Sequence, residues 1–293
     1  WQEAQTVGRE AERAYRQNGQ PLGVSWALEG QAWLALAQGD EDACRRLAKE
    51  GSALASSCGG WSNVLQSEVV IGTLELTLGD AARAISILEP VVERRTEQGL
   101  GLAPAAPVVE LAEALTAVGR ADEAEALLVP FAEQAQQRED PSERAACERV
   151  AGMLASVAGD EERAERAFKG ALDQHARIPA PLEEARTHFA QGQSRRRFRR
   201  RGQAAESLRA AVAIFEQLGA GIWLERARAE LERTGHREAG AELSPTQRQI
   251  AELVAAGRTN REVAEALFMS PHTVEAHLTR IYRSLDIKGR TDL

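Results

Sequence analysis

The sequence predicts an all-α fold, in which a solenoid of helical hairpins is followed by a small helical unit at the carboxyl end. Three features support this fold class. Alanine, leucine, glutamate and arginine dominate, and only 4% of the residues are aromatic, which favours helix throughout. Glycines that end helices recur at a regular interval along most of the chain. The last part of the chain instead carries several closely spaced helix starts.

The chain begins at Trp1 inside an amphipathic helical pattern, without an initiator methionine or a signal peptide. We therefore expect it to be a segment of a longer protein. No apolar run reaches the length of about 18 residues that a membrane span needs. Cys44, Cys58 and Cys147 lack a CxxC spacing, so we expect small buried side chains in a reducing cytosol, which indicates a cytoplasmic protein.

The first helical hairpins are marked by glycine turns. Gly39, Gly79, Gly119 and Gly159 lie 40 residues apart, and Gly202 follows 43 residues later. Each stands between two apolar segments, and glycine ends a helix readily because it adopts the left-handed conformation. Five residues after each glycine comes a small residue that lets two helices approach closely; these residues are Cys44, Ala84, Ala124, Ala164 and Ser207. Prolines at positions 21, 104, 107, 141, 179 and 181 fall between hairpins, where a helix can begin.

Some side chains of the repeats allow a ligand as well as a structural role. Trp26, Trp33 and Trp61 could line a pocket, but their helical spacing favours the core. His175 and His188 have no neighbouring cysteine or carboxylate pattern, so we predict no metal site there. The run RRRFRRR at 195–201 is expected to be a solvated helix end, favoured by the helix dipole. The alternative is a patch that binds phosphate or acidic groups.

The carboxyl-terminal unit follows one more helix at 222–234 and a linker at 235–243 that contains two glycines. Three helices are then expected to begin at Ser244-Pro245, at Thr259-Asn260 and at Ser270-Pro271, with capping boxes at the first two. Their apolar faces can form one small core; they consist of Ile250, Leu253 and Val254, then Val263, Ala264 and Leu267, then Val274, Leu278, Ile281 and Leu285. Only Phe268, Met269 and Ser270 join the second helix to the third, a length that suits a helix-turn-helix.

The third of these helices has an unusual outer face. At about 100° per residue, the face opposite the core carries no acidic residue; it consists of His272, Ala276, Thr279, Arg280 and Arg283, flanked by Thr273 and Glu275. Short side chains allow close approach to a groove and leave the cations for phosphates. The unit is neutral, with seven basic and seven acidic residues from 241 onward, so the net charge of −8 lies on residues 1–240. An acidic body disfavours non-specific binding of nucleic acid.

Both parts of the chain resemble known families. GRADEAEALLVPF resembles the turn and second helix of tetratricopeptide-like repeats, in a longer and degenerate form. The last fifty residues resemble the LuxR-type (GerE-like) DNA-binding domain through L-S-P-x-x-x-x-I, A-x-G-x-T-N-x-E-V-A, S-P-x-T-V-E-x-H and K-x-R-T. Together they resemble the carboxyl-terminal part of large ATP-binding LuxR-type (MalT-like) regulators. In that family an ATP-binding domain would precede Trp1, and none of the three lysines here lies in a phosphate-binding GxxxxGK[ST] pattern.

The resemblance implies roles for residues of the helix-turn-helix. Glu275, Ala276 and Thr279 would face base edges, where Glu275 can accept from a cytosine amino group. Thr273, His277 and Arg280 would contact phosphates, as would Asn260 and Arg261 at the start of the second helix. The wheel places His277 nearer the core. The remaining candidates for DNA binding are Ser270, His272, Arg283 and Lys288.

The resemblance also implies partners. These are double-stranded promoter or operator DNA, RNA polymerase, and a protein or small-molecule effector at the repeats. A homodimer on DNA is implied too, although only Thr291, Asp292 and Leu293 remain of the family's dimerising fourth helix. We therefore expect a transcriptional activator, with no enzymatic activity and no cofactor within this segment. Two alternatives stay open: a sigma-factor-like promoter-binding protein and a helical-repeat scaffold that binds no DNA.

Overall fold

The protein was described from a computed structural model, which covers residues 1–97, 106–235, 245–267, 269–284, 287 and 289–290. These residues form fifteen α-helices and no strand, as the sequence predicts. The chain divides into two compact units, Trp1–Thr234 and Gly235–Leu293. No helix within the described ranges is long and apolar enough to cross a membrane.

Twelve of the described helices lie in the first unit. They are α1 (Gln2–Gln17), α2 (Pro21–Gln38), α3 (Glu41–Ser57), α4 (Trp61–Leu78), α5 (Ala81–Glu97), α6 (Ala106–Ala117), α7 (Ala121–Arg138), α8 (Pro141–Ala158), α9 (Glu161–His175), α10 (Pro181–Arg197), α11 (Arg201–Leu218) and α12 (Gly221–Arg233). Each helix packs against the next along the chain. Prolines 21, 141 and 181 stand at the first position of their helices, where a missing N–H costs little. Pro104 of the expected inter-hairpin prolines lies outside the described residues.

Glycine and aspartate together form the turns inside the hairpins. Gly39, Gly79, Gly119 and Gly159 all have positive φ, between 82° and 93°. Asp40, Asp80 and Asp160 follow three of them, and each carboxylate accepts a backbone N–H three residues on, at 2.9, 3.0 and 2.9 Å. The sequence prediction of a helix end followed by a helix start is confirmed at these turns.

The fifth turn lies at Arg199, and the prediction that Gly202 forms it was wrong. Arg199 has a φ of 62° and stands 40 residues after Gly159, whereas Gly202 lies in the first turn of α11. Ala204, which is fully buried, thereby takes the place that the sequence suggested for Ser207. Close packing of the hairpin fixes this register, although arginine is less suited than glycine to the left-handed conformation.

In the core of the repeats, glycines on one helix face large side chains on the next helix. Gly152 on α8 faces Phe168 on α9, and a methyl group at Gly152 would lie 2.9 Å from the phenyl ring. Gly72 and Gly192 face Leu88 and Leu208 in the same manner, at 2.5 Å. Gly72, Gly152 and Gly192 are spaced by multiples of 40 residues. The period therefore sets which residues pack together, not only where the chain turns.

Two expectations about buried side chains need correction. Trp33 is half-buried and packs against two core clusters, but Trp26 and Trp61 are 64% and 46% exposed. Cys44 and Cys147 are buried, whereas Cys58 is exposed. Trp26 lies on the side of α2 that α3 and α4 do not cover, so helical spacing alone did not identify the core face.

Charged side chains occupy the interior between α6, α8 and α10. The guanidinium of Arg186 donates to both carboxylate oxygens of Glu110 at 2.8 Å and to Glu113 at 3.0 Å. Arg149, which is only 1% exposed, pairs with Glu183 and Glu113. Arg149 and Arg186 therefore each have partners of opposite sign, without which their burial would cost several kcal/mol. The space between α6, α8 and α10 is thus occupied by these ion pairs.

The last helix of this unit returns to the first hairpins. Ile222 of α12 packs against the cluster formed by α2, α3 and α4. Arg226 donates to the carbonyls of Leu76 and Thr77 at the end of α4, at 3.2 and 2.8 Å, and its guanidinium lies 4.7 Å from the ring centroid of Trp223. Trp1 also donates to the carbonyl of Leu218. The array of hairpins thus closes on itself, a feature that the sequence did not predict.

The arginine run at 195–201 serves packing at three of its six cations. Arg195 makes two bonds of 2.8 Å to Glu165, Arg196 pairs with Glu230, and Arg200 pairs with Glu161 at 2.6 Å. Within the described residues, the other cations of the run, at 197, 199 and 201, make no ion pair. Half of the run therefore joins α10 and its turn to α9 and α12, a role more specific than the solvated helix end that we expected.

Candidate nucleic-acid interface

Three helices form the described part of the second unit: α13 (Pro245–Ala255), α14 (Asn260–Ala266) and α15 (Pro271–Ser284). Proline opens both α13 and α15, as the sequence predicts. The expected capping residue of α13, Ser244, lies outside the described residues, as do the linker from 236 to 243 and the expected fourth helix at 291–293.

The start of α14 is fixed by a complete capping box. The backbone N–H of Glu262 donates to the Thr259 hydroxyl oxygen at 3.3 Å, and the carboxylate of Glu262 accepts from the Thr259 N–H at 2.7 Å. The Thr259 hydroxyl also donates to the Glu262 carboxylate, at 2.9 Å. The bond from the Thr259 backbone N–H, and then the bond from the hydroxyl, lower the pKa of Glu262. The capping box that the sequence predicts at this position is confirmed.

A tight connection joins α14 to α15. The Met269 N–H donates to the Ala264 carbonyl at 2.9 Å. The Ser270 hydroxyl then accepts from the Thr273 N–H at 3.1 Å and lies 2.8 Å from the Thr273 hydroxyl. Ser270 therefore caps α15, and its side chain is engaged at the helix start. Phe268, between these residues, lies outside the description.

A small core holds the three helices together. Its fully buried side chains, with exposures from 0 to 7%, are Ile250, Ala251, Val254, Val263, Ala264, Val274, Leu278 and Ile281. Leu253 and Leu267 pack at its edge. The core predicted from the sequence is confirmed for all of these positions except Ala251, which was not predicted, while Leu285 lies outside the described residues. Ala251, Met269 and Tyr282 also contribute, although the sequence pattern did not identify them.

The opposite face of α15 is open to solvent. Thr273, Glu275, Ala276 and Thr279 are exposed, while Val274, Leu278 and Ile281 of the same helix are buried. The Thr279 hydroxyl donates to the Glu275 carbonyl at 3.0 Å, so its oxygen keeps acceptor capacity toward solvent. Four of the predicted contact residues thus share one surface.

His277 lies at the border between this face and the core. It is half-buried, and its Nδ1 atom is buried without a hydrogen-bond partner. The helical wheel predicts this intermediate position. The side chains of His272, Arg280 and Arg283 and the whole of Lys288 lie outside the described residues, although the backbone of the first three belongs to α15.

Asn260 and Arg261 stand at the positive end of α14, where backbone N–H groups lack helical acceptors. Arg261 is exposed and lies 3.5 Å from Glu265. Arg290 donates to the Asn260 side-chain oxygen at 3.0 Å and also to the carbonyl of Arg258. Arg290 is not among the site residues predicted from the sequence, although it is the arginine of the K-x-R-T motif. It adds a cation to the same helix end.

The second unit matches a known family along its length. Residues 241–293 match the family described as "Bacterial regulatory proteins, luxR family". The unit is therefore a LuxR-type helix-turn-helix domain, and α14 and α15 are the two helices of its motif. The match covers this unit and not the repeats.

Individual proteins show the same local similarity. The chain is 43% identical over 51 residues to the putative HTH-type transcriptional regulator Rv0890c of Mycobacterium tuberculosis, covering 17% of this chain and 6% of that protein. It is 49% identical over 49 residues to the putative HTH-type transcriptional regulator YhjB of Escherichia coli, covering 17% and 24%. The oxygen regulatory protein NreC of Staphylococcus carnosus is 45% identical over 51 residues, with the same coverage. The chain thus spans less than a quarter of the length of these relatives.

Proposed function

We propose that the chain, whose second unit is a LuxR-type helix-turn-helix domain, belongs to a sequence-specific DNA-binding transcriptional regulator. The exposed face of α15 is the observation that carries this proposal. Thr273, Ala276 and Thr279 are short side chains, so the helix backbone can approach base edges in the major groove closely. Glu275 on the same face can accept a hydrogen bond from a cytosine amino group.

The amino-terminal end of α14 supplies the second part of the proposed interface. At the start of this helix Arg261 is exposed, and the guanidinium of Arg290 donates to the side-chain oxygen of Asn260. A phosphate of the DNA backbone fits this end, because helix amino termini and arginines both favour anions. Such contacts position the protein on the duplex, and the contacts of α15 with bases select the sequence.

We further propose that the repeats of the first unit receive a signal and control DNA binding. The net charge of −8 lies on residues 1–240, so this body repels DNA and leaves binding to the second unit. A bound effector or protein partner at the repeats would change how readily the second unit reaches DNA. Activation through RNA polymerase and dimerisation on the operator belong to the same proposal by resemblance to LuxR-type regulators.

The test is selection of a preferred sequence from random double-stranded DNA by the 293-residue chain, followed by binding titrations at several salt concentrations. We expect one preferred motif. We also expect affinity to fall at least tenfold between about 50 and 200 mM salt, because neutralised phosphates release counterions. Failure to select any sequence, even at low salt, would favour the scaffold alternative.

Variants separate the two kinds of contact. Thr279→Ala should reduce discrimination at one base pair by about 5- to 150-fold, since one mismatch costs about 1–3 kcal/mol. Arg280→Ala should weaken all sequences alike and lower the salt dependence by about one phosphate contact. Arg166→Ala, an exposed arginine of α9 paired with Glu162, is the matched control and should leave both properties unchanged.

A further inference from the structure

A cavity of about 460 Å³ lies between α3, α4 and α5 in the first unit. Each helix contributes residues at helical spacing, so one face of each forms a wall; among them are Arg45 and Lys49 of α3, Ser67 and Ile71 of α4, and Ile87 and Arg94 of α5. This volume falls in the range of sites that hold small molecules. The cavity is remote in sequence from the helix-turn-helix and has no part in the interface described above.

The rim of the cavity is cationic. Arg45, Lys49 and Arg94 line it, against one acidic residue, Glu68. Arg94 is only loosely paired, with 3.7 Å between its Nη1 and Glu68 Oε2. Lys49 is exposed and makes no ion pair with any residue that the structure describes. This local excess of positive charge favours an anion over a neutral or cationic ligand, although the net charge of the chain is −8.

Arg45 is a fixed part of the wall. Its Nε donates to Glu41 at 2.8 Å and its Nη1 to Glu75 at 2.7 Å. These partners hold the guanidinium in place and neutralise much of its charge. The cations that remain available to a ligand are therefore Lys49 and Arg94, on opposite walls.

The interior of the cavity is mainly apolar. Ala48, Ile71, Ile87 and Pro90 line it. Ser67 lines it as well; its side chain is 3% exposed, and its hydroxyl has no hydrogen-bond partner. A buried hydroxyl without a partner costs free energy, which a polar atom of a ligand near α4 would recover after a small shift.

We propose that this cavity binds a small organic anion with an apolar body, such as a medium-chain or aromatic carboxylate. The apolar part lies on Ile71 and Ile87, and the anionic group lies between Lys49 and Arg94. A ligand bound here would be the signal that regulates DNA binding. Only this regulatory effect rests on the proposed function; the binding of the anion does not.

The test uses the fluorescent sulfonate 8-anilinonaphthalene-1-sulfonate as a probe on the 293-residue chain. We expect saturable binding at one site, displaced by octanoate and weakened by salt. Octanol, which has the same apolar body without the charge, should displace the probe at least tenfold less well. Equal displacement by octanol and octanoate, or the absence of saturable binding, would overturn the proposal.

Two variants place the probe. Lys49→Gln/Arg94→Gln changes exposed side chains only, so the fold is retained, and we expect probe and octanoate affinity to fall at least tenfold. Ser86→Trp, at an exposed residue that lines the cavity, should block the site. The matched control is Arg166→Gln/Lys169→Gln on α9, which also removes one exposed arginine and one exposed lysine. Unchanged affinity in the first variant, or an equal loss in the control, would contradict the assignment.

The two proposals can fail separately. A chain that binds octanoate at this cavity but selects no DNA sequence would refute the proposed function and leave the cavity assignment intact. A chain that selects DNA but binds neither probe would do the reverse. Binding of octanoate that alters DNA affinity in the wild type, and not in Lys49→Gln/Arg94→Gln, would support both.

Discussion

Single side chains buried in the first unit determine how its stability responds to pH. His175 is 5% exposed, its Nε2 bonds to the Thr187 hydroxyl at 3.0 Å, and its Nδ1 has no partner. Burial, and then the charge of Arg149, lower the pKa of His175 to about 4. Protonation would bury a positive charge and place a second N–H, at Nδ1, where it has no acceptor.

Stability should therefore fall as the pH drops from 6.5 toward 4. The unfolded chain takes up a proton on His175 near pH 6.5, while the folded chain does so only near pH 4. Between pH 7 and 4.5 we expect wild type to lose about 2–3 kcal/mol more free energy of unfolding than His175→Gln. Urea denaturation at the two pH values measures this difference. Equal losses in the two chains would contradict it.

The measurement stops at pH 4.5 because Glu183, a partly buried carboxylate, titrates below that. Burial opposes ionisation of Glu183, but Arg186 and Arg149 outweigh it and lower its pKa to about 2. The stability contributed by this carboxylate is present above its unfolded pKa, near 4.5, and is lost as the pH falls through the folded value. The two groups thus act in adjoining pH ranges.

Arg290 offers a residue-scale test of the proposed interface. It bonds to Asn260 and to the Arg258 carbonyl, so Arg290→Ala should loosen the start of α14 and remove a cation. We expect affinity to fall about tenfold for every DNA sequence, with the preferred motif unchanged, because phosphate contacts carry no sequence information. Titration against the preferred site and a scrambled site checks this. A changed motif would instead place Arg290 among the base contacts.

At the scale of the element, the repeat register decides which glycines are irreplaceable. Gly152 faces the ring of Phe168 at 2.9 Å, whereas Gly30, in the middle of α2, has no atom within 4 Å of an added methyl group. Gly152→Ala should therefore destabilise by about 1–3 kcal/mol through overpacking. Gly30→Ala should stabilise by about 0.5–1 kcal/mol through a less flexible unfolded chain. Denaturant titration of both variants tests the opposite signs, and equal effects would show that the ring yields.

Helix starts and ends were predictable where the signal is local. A capping box at Thr259, a cap at Ser270 and the Gly-Asp turns each act over a few residues, so the sequence shows them directly. The turn at Arg199 was missed because packing between α10 and α11 imposes it on a residue that does not favour it. The buried face of α2 was likewise unpredictable, since Trp26 is exposed by the placement of its neighbours.

At the scale of the whole first unit, closure depends on contacts between residues about 150 positions apart in sequence. No local pattern reports such contacts, so the sequence predicted a solenoid of hairpins without this closure. For the second unit, sequence and resemblance predicted the helices, most of the core and the exposed face of α15. The hydrogen bonds of Arg290 could not be predicted from the sequence, because its partners lie 30 and 32 residues away.

Arg226 and Arg228 provide a matched test of closure. Arg226 of α12 bonds to the end of α4, whereas Arg228, on the same helix, makes an exposed pair with Glu216. Arg226→Ala should cost about 2–4 kcal/mol, because it leaves carbonyls and aromatic faces without their partner. Arg228→Ala should cost less than about 1 kcal/mol. Hydrogen exchange should also quicken in α2 and α4 of the first variant, and exchange confined to α12 would argue against coupling between the ends.

The return of α12 to the first hairpins has a mechanical consequence. An open stack of hairpins under tension yields at its outermost pair and peels inward, one unit at a time. Here the last helix, α12, packs against the hairpins near the amino terminus, so a pull on either end is shared by both. The unit should resist force until the contacts between α12 and α4 break, and then extend in a single large step.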